Sequence, residues 1–99
     1  MTAVKLAPEV IEDLERIVAH LEAHEGSDLD DRADEIISAL DVLAQHPMIG
    51  RLTTSGLREL VIGKRTRGYV ALYRYQEGDD LILVLAIRSQ REAGYTRAD

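Results

Sequence analysis

Cysteine is missing from this sequence. Disulfide frameworks, thiolate nucleophiles and cysteine-ligated zinc or iron–sulfur centres are therefore excluded together. Phenylalanine and tryptophan are missing too, and four tyrosines are the only aromatic residues among 99. The core has to be aliphatic. No apolar run is long: Leu81–Ile87 is the longest, far short of the ~20 residues of a membrane helix. Met1–Leu6 has no signal-peptide organisation, so a cytoplasmic location away from any membrane is expected. Positive charge is scarce in one half only. Residues 1–47 hold 3 Lys/Arg against 12 Asp/Glu, and residues 48–99 hold 9 against 6, giving −9 and +3 within a net charge of −6. A generic nucleic-acid binder would be basic overall, whereas a bipolar chain offers one acidic and one basic surface.

Apolar residues at 45% and charged residues at 30% fit a folded chain, and 99 residues suffice for one domain, taken as 1–99. Met1–Leu6, where Ala3 and Lys5 alternate with Val4 and Leu6, reads as a short strand. Pro8 suits a first helical turn, with Glu9, Glu12 and Asp13 at the positive end of the helix dipole. Val10, Ile11, Leu14, Ile17, Val18 and Leu21 follow at helical spacing. Gly26 breaks that helix, and Ser27 or Asp28 caps the next. Its stripe is Leu29, Ala33, Ile36, Ile37, Leu40, Leu43 and Ala44, ended by His46-Pro47. Met48–Gly56 reads as loop. Leu57–Ile62, Tyr69–Tyr75 and Leu81–Ser89 read as strands, the last apolar on both faces and so interior to its sheet. The order β-α-α-β-β-β predicts an α+β fold, an antiparallel sheet packed against an N-terminal helical hairpin.

That order resembles the RelE/ParE superfamily of toxins from bacterial type II toxin–antitoxin modules, also known as plasmid stabilisation proteins. The residues that carry the resemblance are His46-Pro47 with Gly50-Arg51, Leu57-Arg58-Glu59-Leu60, Gly68-Tyr69 through Tyr73-Arg74-Tyr75, and Ala86-Ile87-Arg88 followed by Arg91 and Tyr95. The resemblance implies a cognate antitoxin, a toxin–antitoxin hetero-oligomer, and one of two activities. ParE-like members inhibit DNA gyrase by binding. RelE-like members are mRNA interferases, cleaving mRNA on the ribosome without metal or cofactor. RelE-type sites look built from lysines on the strand that here reads Leu60-Val61-Ile62-Gly63. They also use an arginine after Gly-Tyr, here Val70, and an arginine or histidine near the end of the last strand, here Ser89. Tyr95 alone fits. Gyrase inhibition therefore ranks first, ribosome-dependent cleavage second, and an inactive partner-binding member third.

The expected target-binding residues are Arg51, Arg58, Lys64, Arg65, Arg67, Arg88 and Arg91. If the chain is a ribonuclease, Tyr95 is the proton donor, with Arg65 and Lys64 on phosphate, because cleavage through a 2′-hydroxyl needs charge placed on the developing phosphorane. Each has a plainer reading. The arginines can pair with the many carboxylates, Arg88 with Glu59 or Glu92 in particular, and Tyr69, Tyr73 and Tyr75 can simply pack. Other motifs fail on spacing. His20-Leu21-Glu22-Ala23-His24 places its glutamate midway between the histidines, where a zincin needs it directly after the first. Asp28-Leu29-Asp30-Asp31 lacks the later glycine and glutamate of a calcium loop. Gly63-Lys64 has no phosphate-loop spacing, and no metal or cofactor is expected.

Overall fold

The computed structural model describes residues 2–24, 29–63 and 68–89. In chain order these form β1 (Ala3–Leu6), α1 (Pro8–His24), α2 (Leu29–Gln45), β2 (Arg51–Leu52), β3 (Arg58–Ile62), β4 (Tyr69–Gln76) and β5 (Leu81–Ser89). The strands make one sheet in the order β1-β5-β4-β3-β2. The α+β class and the helical hairpin are as expected. The sheet is mixed rather than wholly antiparallel, because β1 pairs parallel to β5, Ala3 with Leu81 through Leu6 with Val84. A parallel neighbour needs a long connection, and the helical hairpin lies within it. The stretch read as loop contains β2, two residues set antiparallel on β3, Arg51 with Glu59 and Leu52 with Arg58. Both candidates for the cap of α2, Ser27 and Asp28, lie outside the described residues.

Both helices pack on one face of the sheet. Val10 and Ile17 of α1, Ile36 and Leu43 of α2, and Ile62, Tyr69, Ala71, Tyr73, Ile82, Val84 and Ile87 of the strands form one buried cluster. The helical stripes are narrower than their periodicity suggests, since Ile11, Val18 and Ile37 are exposed. In β5 the buried side chains fall at Ile82, Val84 and Ile87, which breaks simple alternation. Leu72 of β4 pairs with Ala86 and Tyr73 with Val84, so Leu85 is an extra residue. This bulge resets the phase and keeps Ile87 on the core face.

A polar knot fixes the entry into the sheet from α2. The Tyr73 hydroxyl donates to the Pro47 carbonyl at 2.8 Å and accepts the Gly50 N–H at 2.9 Å. The guanidinium of Arg58, Tyr73's partner across the ladder, donates to the carbonyls of Gly50 at 2.8 Å and Met48 at 3.2 Å. Burial pushes the Tyr73 phenol above its ordinary pKa against the opposing pull of the Gly50 amide and Arg58, so it stays neutral and can both donate and accept. Gly50 has no room for a side chain. A Cβ there would stand 2.7 Å from the Tyr73 ring and 2.9 Å from the Glu59 carbonyl oxygen. At the other end of the sheet, buried Thr2 donates through its hydroxyl to Asp80 at 2.6 Å, and the Ala3 N–H donates to the Asp80 carbonyl. Gly50→Ala should therefore cost about 1–3 kcal/mol by overpacking. Tyr73→Phe should cost a similar ~1–3 kcal/mol through two lost hydrogen bonds, one buried and one partly buried, each variant measured by urea unfolding.

Candidate functional site

Strand register divides the sequence-predicted positions: Ser89 pairs with buried Tyr69 and Arg58 with buried Tyr73, on the core side, whereas Val61 and Val70 fall on the sheet face away from the helices. Val61 of β3 lies beside Val70 of β4, which lies beside Arg88 of β5. One rung further, Glu59 lies beside Leu72, and Leu72 beside Ala86. Their neighbours Ile62, Tyr69, Ala71 and Ile87 are buried in the core, so alternation sends these side chains to the outer face. Val61 is 59% exposed there. Val61, Val70 and Leu72 make its middle aliphatic, with Glu59 of β3 and exposed Arg74 of β4 on the same face. Arg51 marks its rim, with its side chain 81% exposed and its guanidinium 2.6 Å from Glu59. The pair is open to solvent and adds little to stability, typically ~0–1 kcal/mol, so Arg51 keeps a displayed positive charge.

Two of the expected target-binding arginines are engaged inside the fold. Arg58 holds the 48–50 loop. Arg88 pairs with Asp13 of α1, while Glu59 holds Arg51; Glu92, the other expected partner, lies outside the described residues. Asp13 reads in sequence as a dipole acid, yet it is only 4% exposed. It accepts the backbone N–H of Ile87 at 3.0 Å, and a guanidinium N–H from Arg16 at 3.1 Å and from Arg88. The cause lies in the length of β1. That strand pairs with β5 only as far as Val84, after which Ala7 donates to the Val84 carbonyl and the chain turns into α1. Beyond that point the edge of β5 has no strand beside it on this side among the described residues, and the Asp13 carboxylate takes the Ile87 N–H in place of one. The remaining expected residues, Lys64, Arg65, Arg67, Arg91 and Tyr95, lie outside the described residues.

Sequence reasoning missed Asp13. A signal was present, because Asp13 falls between Val10 and Ile17 on the buried stripe of α1, where a solvated acid does not belong. The outer strip supplies no proton donor or phosphate ligand from Val61, Val70, Leu72 or Ala86. Its chemistry is apolar contact, with Arg51 at the rim and a half-buried, ion-paired Arg88 at the far side.

A mixed five-stranded sheet with a helical hairpin on one face is the fold of RelE/ParE superfamily type II toxins. A structure from the P. aeruginosa chromosomal ParDE TA system superposes with a TM-score of 0.75 at 22% identity, covering 90% of this chain and 96% of that one. A chain of the intact E. coli RelBE toxin–antitoxin complex superposes with a TM-score of 0.57 at 9% identity, over 90% and 96% of the two chains. Toxin RelE3 of Caulobacter vibrioides is 33% identical over 92 residues, covering 93% of this chain and 98% of that protein. Residues 4–94 match the family of ParE toxins of type II toxin-antitoxin systems, parDE. The chain belongs to that family.

Burial alone would raise the Asp13 carboxyl, but the Ile87 amide, Arg88 and Arg16 outweigh it and hold the pKa below the ordinary aspartate value of 3.8. A depressed native pKa means that the stabilisation is fully present above the unfolded value and is lost as pH falls through the native one. Asp13→Ala should therefore cost about 3 kcal/mol near pH 7, since it leaves a buried amide and an arginine without their acceptor. The gap to the parent protein should narrow as pH drops below 3.8, measured by denaturant unfolding across that range.

Proposed function

We propose that this protein is the growth-inhibiting toxin of a type II pair, neutralised in the cytoplasm by a cognate antitoxin, and that it acts by binding DNA gyrase. The observation that supports gyrase over mRNA is the outer sheet face. Where the resemblance places the cations of a RelE-type site, this chain has Leu60-Val61-Ile62-Gly63, Val70 and Ser89, and Val61 lies against Val70 across β3 and β4. Phosphodiester cleavage requires charge aimed at the developing phosphorane, and two valines provide none. An apolar strip with Arg51 at its rim suits a protein partner, because interface centres favour apolar side chains with charge at the edge. The target surface is then this strip together with Arg51, the basic turn of Lys64, Arg65 and Arg67, and Arg91; Arg58 and Arg88 serve it by holding the frame.

One observation favours a second reading. The relative at 33% identity is named Toxin RelE3. On this reading the chain cleaves mRNA, with Tyr95 as proton donor and Lys64 and Arg65 on the phosphate. Inducing the chain without antitoxin and pulse-labelling within minutes separates the two. Gyrase inhibition predicts an early fall in thymidine incorporation while methionine incorporation holds, with Tyr95→Phe retaining toxicity. An early fall in methionine incorporation, abolished by Tyr95→Phe in a folded protein, would reverse the assignment.

A further inference from the structure

The two layers of this fold end in surfaces of opposite sign. On α1, Ile11 and Val18 are 54% and 38% exposed, and exposed Glu15 stands between them on the same helical face. On α2, Ile37 is 58% exposed, with exposed Asp34 three residues before it and exposed Asp41 four after. Each helix thus presents aliphatic side chains bordered by carboxylates. Glu9, Glu12 and Glu35 are exposed as well, while Arg16 donates to buried Asp13.

The outer face of the sheet has the reverse arrangement. Register sets Lys5 of β1 beside Leu83 of β5, and Leu83 beside Arg74 of β4. Buried Ile82 and Val84 flank Leu83, so this row points outward with Val70 and Leu72. Lys5 and Arg74 are exposed, and Arg51 stands open to solvent at the β2 side. An aliphatic centre is therefore framed by three cations, with Glu59 bonded to one of them, Arg51. Glu77, Asp79 and Asp80 lie beyond the Gln76–Leu81 pair and end the cationic surface there.

We propose that the protein self-associates head to tail, the acidic helical face of one copy seated on the cationic outer sheet face of the next. Charge complementarity carries the assignment. Glu15, Asp34 and Asp41 meet the frame of Lys5, Arg51 and Arg74, and aliphatic side chains meet the aliphatic centre. The net charge of −6 per chain opposes association only at long range. Charges further apart than the ~8 Å Debye length are screened at physiological salt, so the facing patches decide. The two faces lie on opposite sides of one sheet. Two copies cannot satisfy both, and further copies can add at each end. The patch is small: three rows of alternate residues across five strands span about 13 by 19 Å. That plane of roughly 250 Å² falls well below the ~800 Å² per partner of a stable interface, so the contact is weak and concentration-dependent. It covers the strip proposed above as the target surface, and assembled copies are withheld from the target. Only that consequence rests on the target reading.

Sedimentation equilibrium of the full chain tests the association. The weight-average mass should rise above that of one chain, and at high concentration above that of two, with a dissociation constant of about 10–500 µM. Raising the ionic strength should weaken it. Glu15→Lys on the helix and Arg74→Glu on the sheet, both at exposed positions, should each weaken it at least about fivefold. Mixing the two variants should restore it, because the lysine of one then meets the glutamate of the other. A mass of one chain at every concentration up to about 500 µM, a mass that levels at two chains, or association indifferent to both charge reversals would overturn the proposal. These masses are read without target or antitoxin, so the result stands whichever way pulse-labelling decides.

Discussion

The Asp13 carboxylate, buried between α1 and the open edge of β5, is the contact on which this architecture turns. A four-residue β1 cannot cover a nine-residue β5. The uncovered length needs an acceptor for the Ile87 N–H, since an orphaned buried donor costs about 1–3 kcal/mol. Asp13 supplies it from a helix, and in doing so docks α1 onto the sheet at a fixed height. A lone buried carboxylate would itself be costly. Arg16 from its own helix and Arg88 from the next strand position balance it. Arg88 is thereby committed to the frame, although its place at the end of a central apolar strand makes it resemble a site residue.

At the opposite side of the sheet, Tyr73, Arg58 and Gly50 do for α2 what Asp13 does for α1. They fasten the connection that leaves the helix to the strand it enters. The motifs that carry the family resemblance, His46-Pro47 with Gly50 and Leu57-Arg58, thus meet around one phenol. Their rationale in this chain is shape. Gly50 is drawn toward Tyr73, and β2 pairs with β3 over two residues only among the described residues. The two polar knots leave the outer strip, with Val61 59% exposed, open to other molecules.

Much of the fold was legible because its elements are strongly patterned. Leu81–Ser89 is strand over its full expected length, and both helices start or stop where Pro8 and His46-Pro47 predict. What escaped sequence reading depends on distant partners. The parallel placement of β1 is set by where the helical hairpin returns the chain. The bulge at Leu85 is hidden because every residue from Leu81 to Ile87 is apolar, so a phase change leaves no mark. Asp13 looked like one more acid at the positive end of a helix dipole, and two residues are too few for β2 to show a period. For the site, the departures at Val61 and Val70 were readable from sequence, but their adjacency was not, since it is a property of register.

The account makes Asp13 a substitute for a missing strand, and amide hydrogen exchange at Ile87 tests that most directly. In the parent protein Ile87 should exchange as slowly as Leu83, whose neighbours on both sides are strands. In Asp13→Ala it should accelerate selectively, well ahead of Leu83. Fast exchange at Ile87 in the parent protein, or equal acceleration at both amides, would contradict the account.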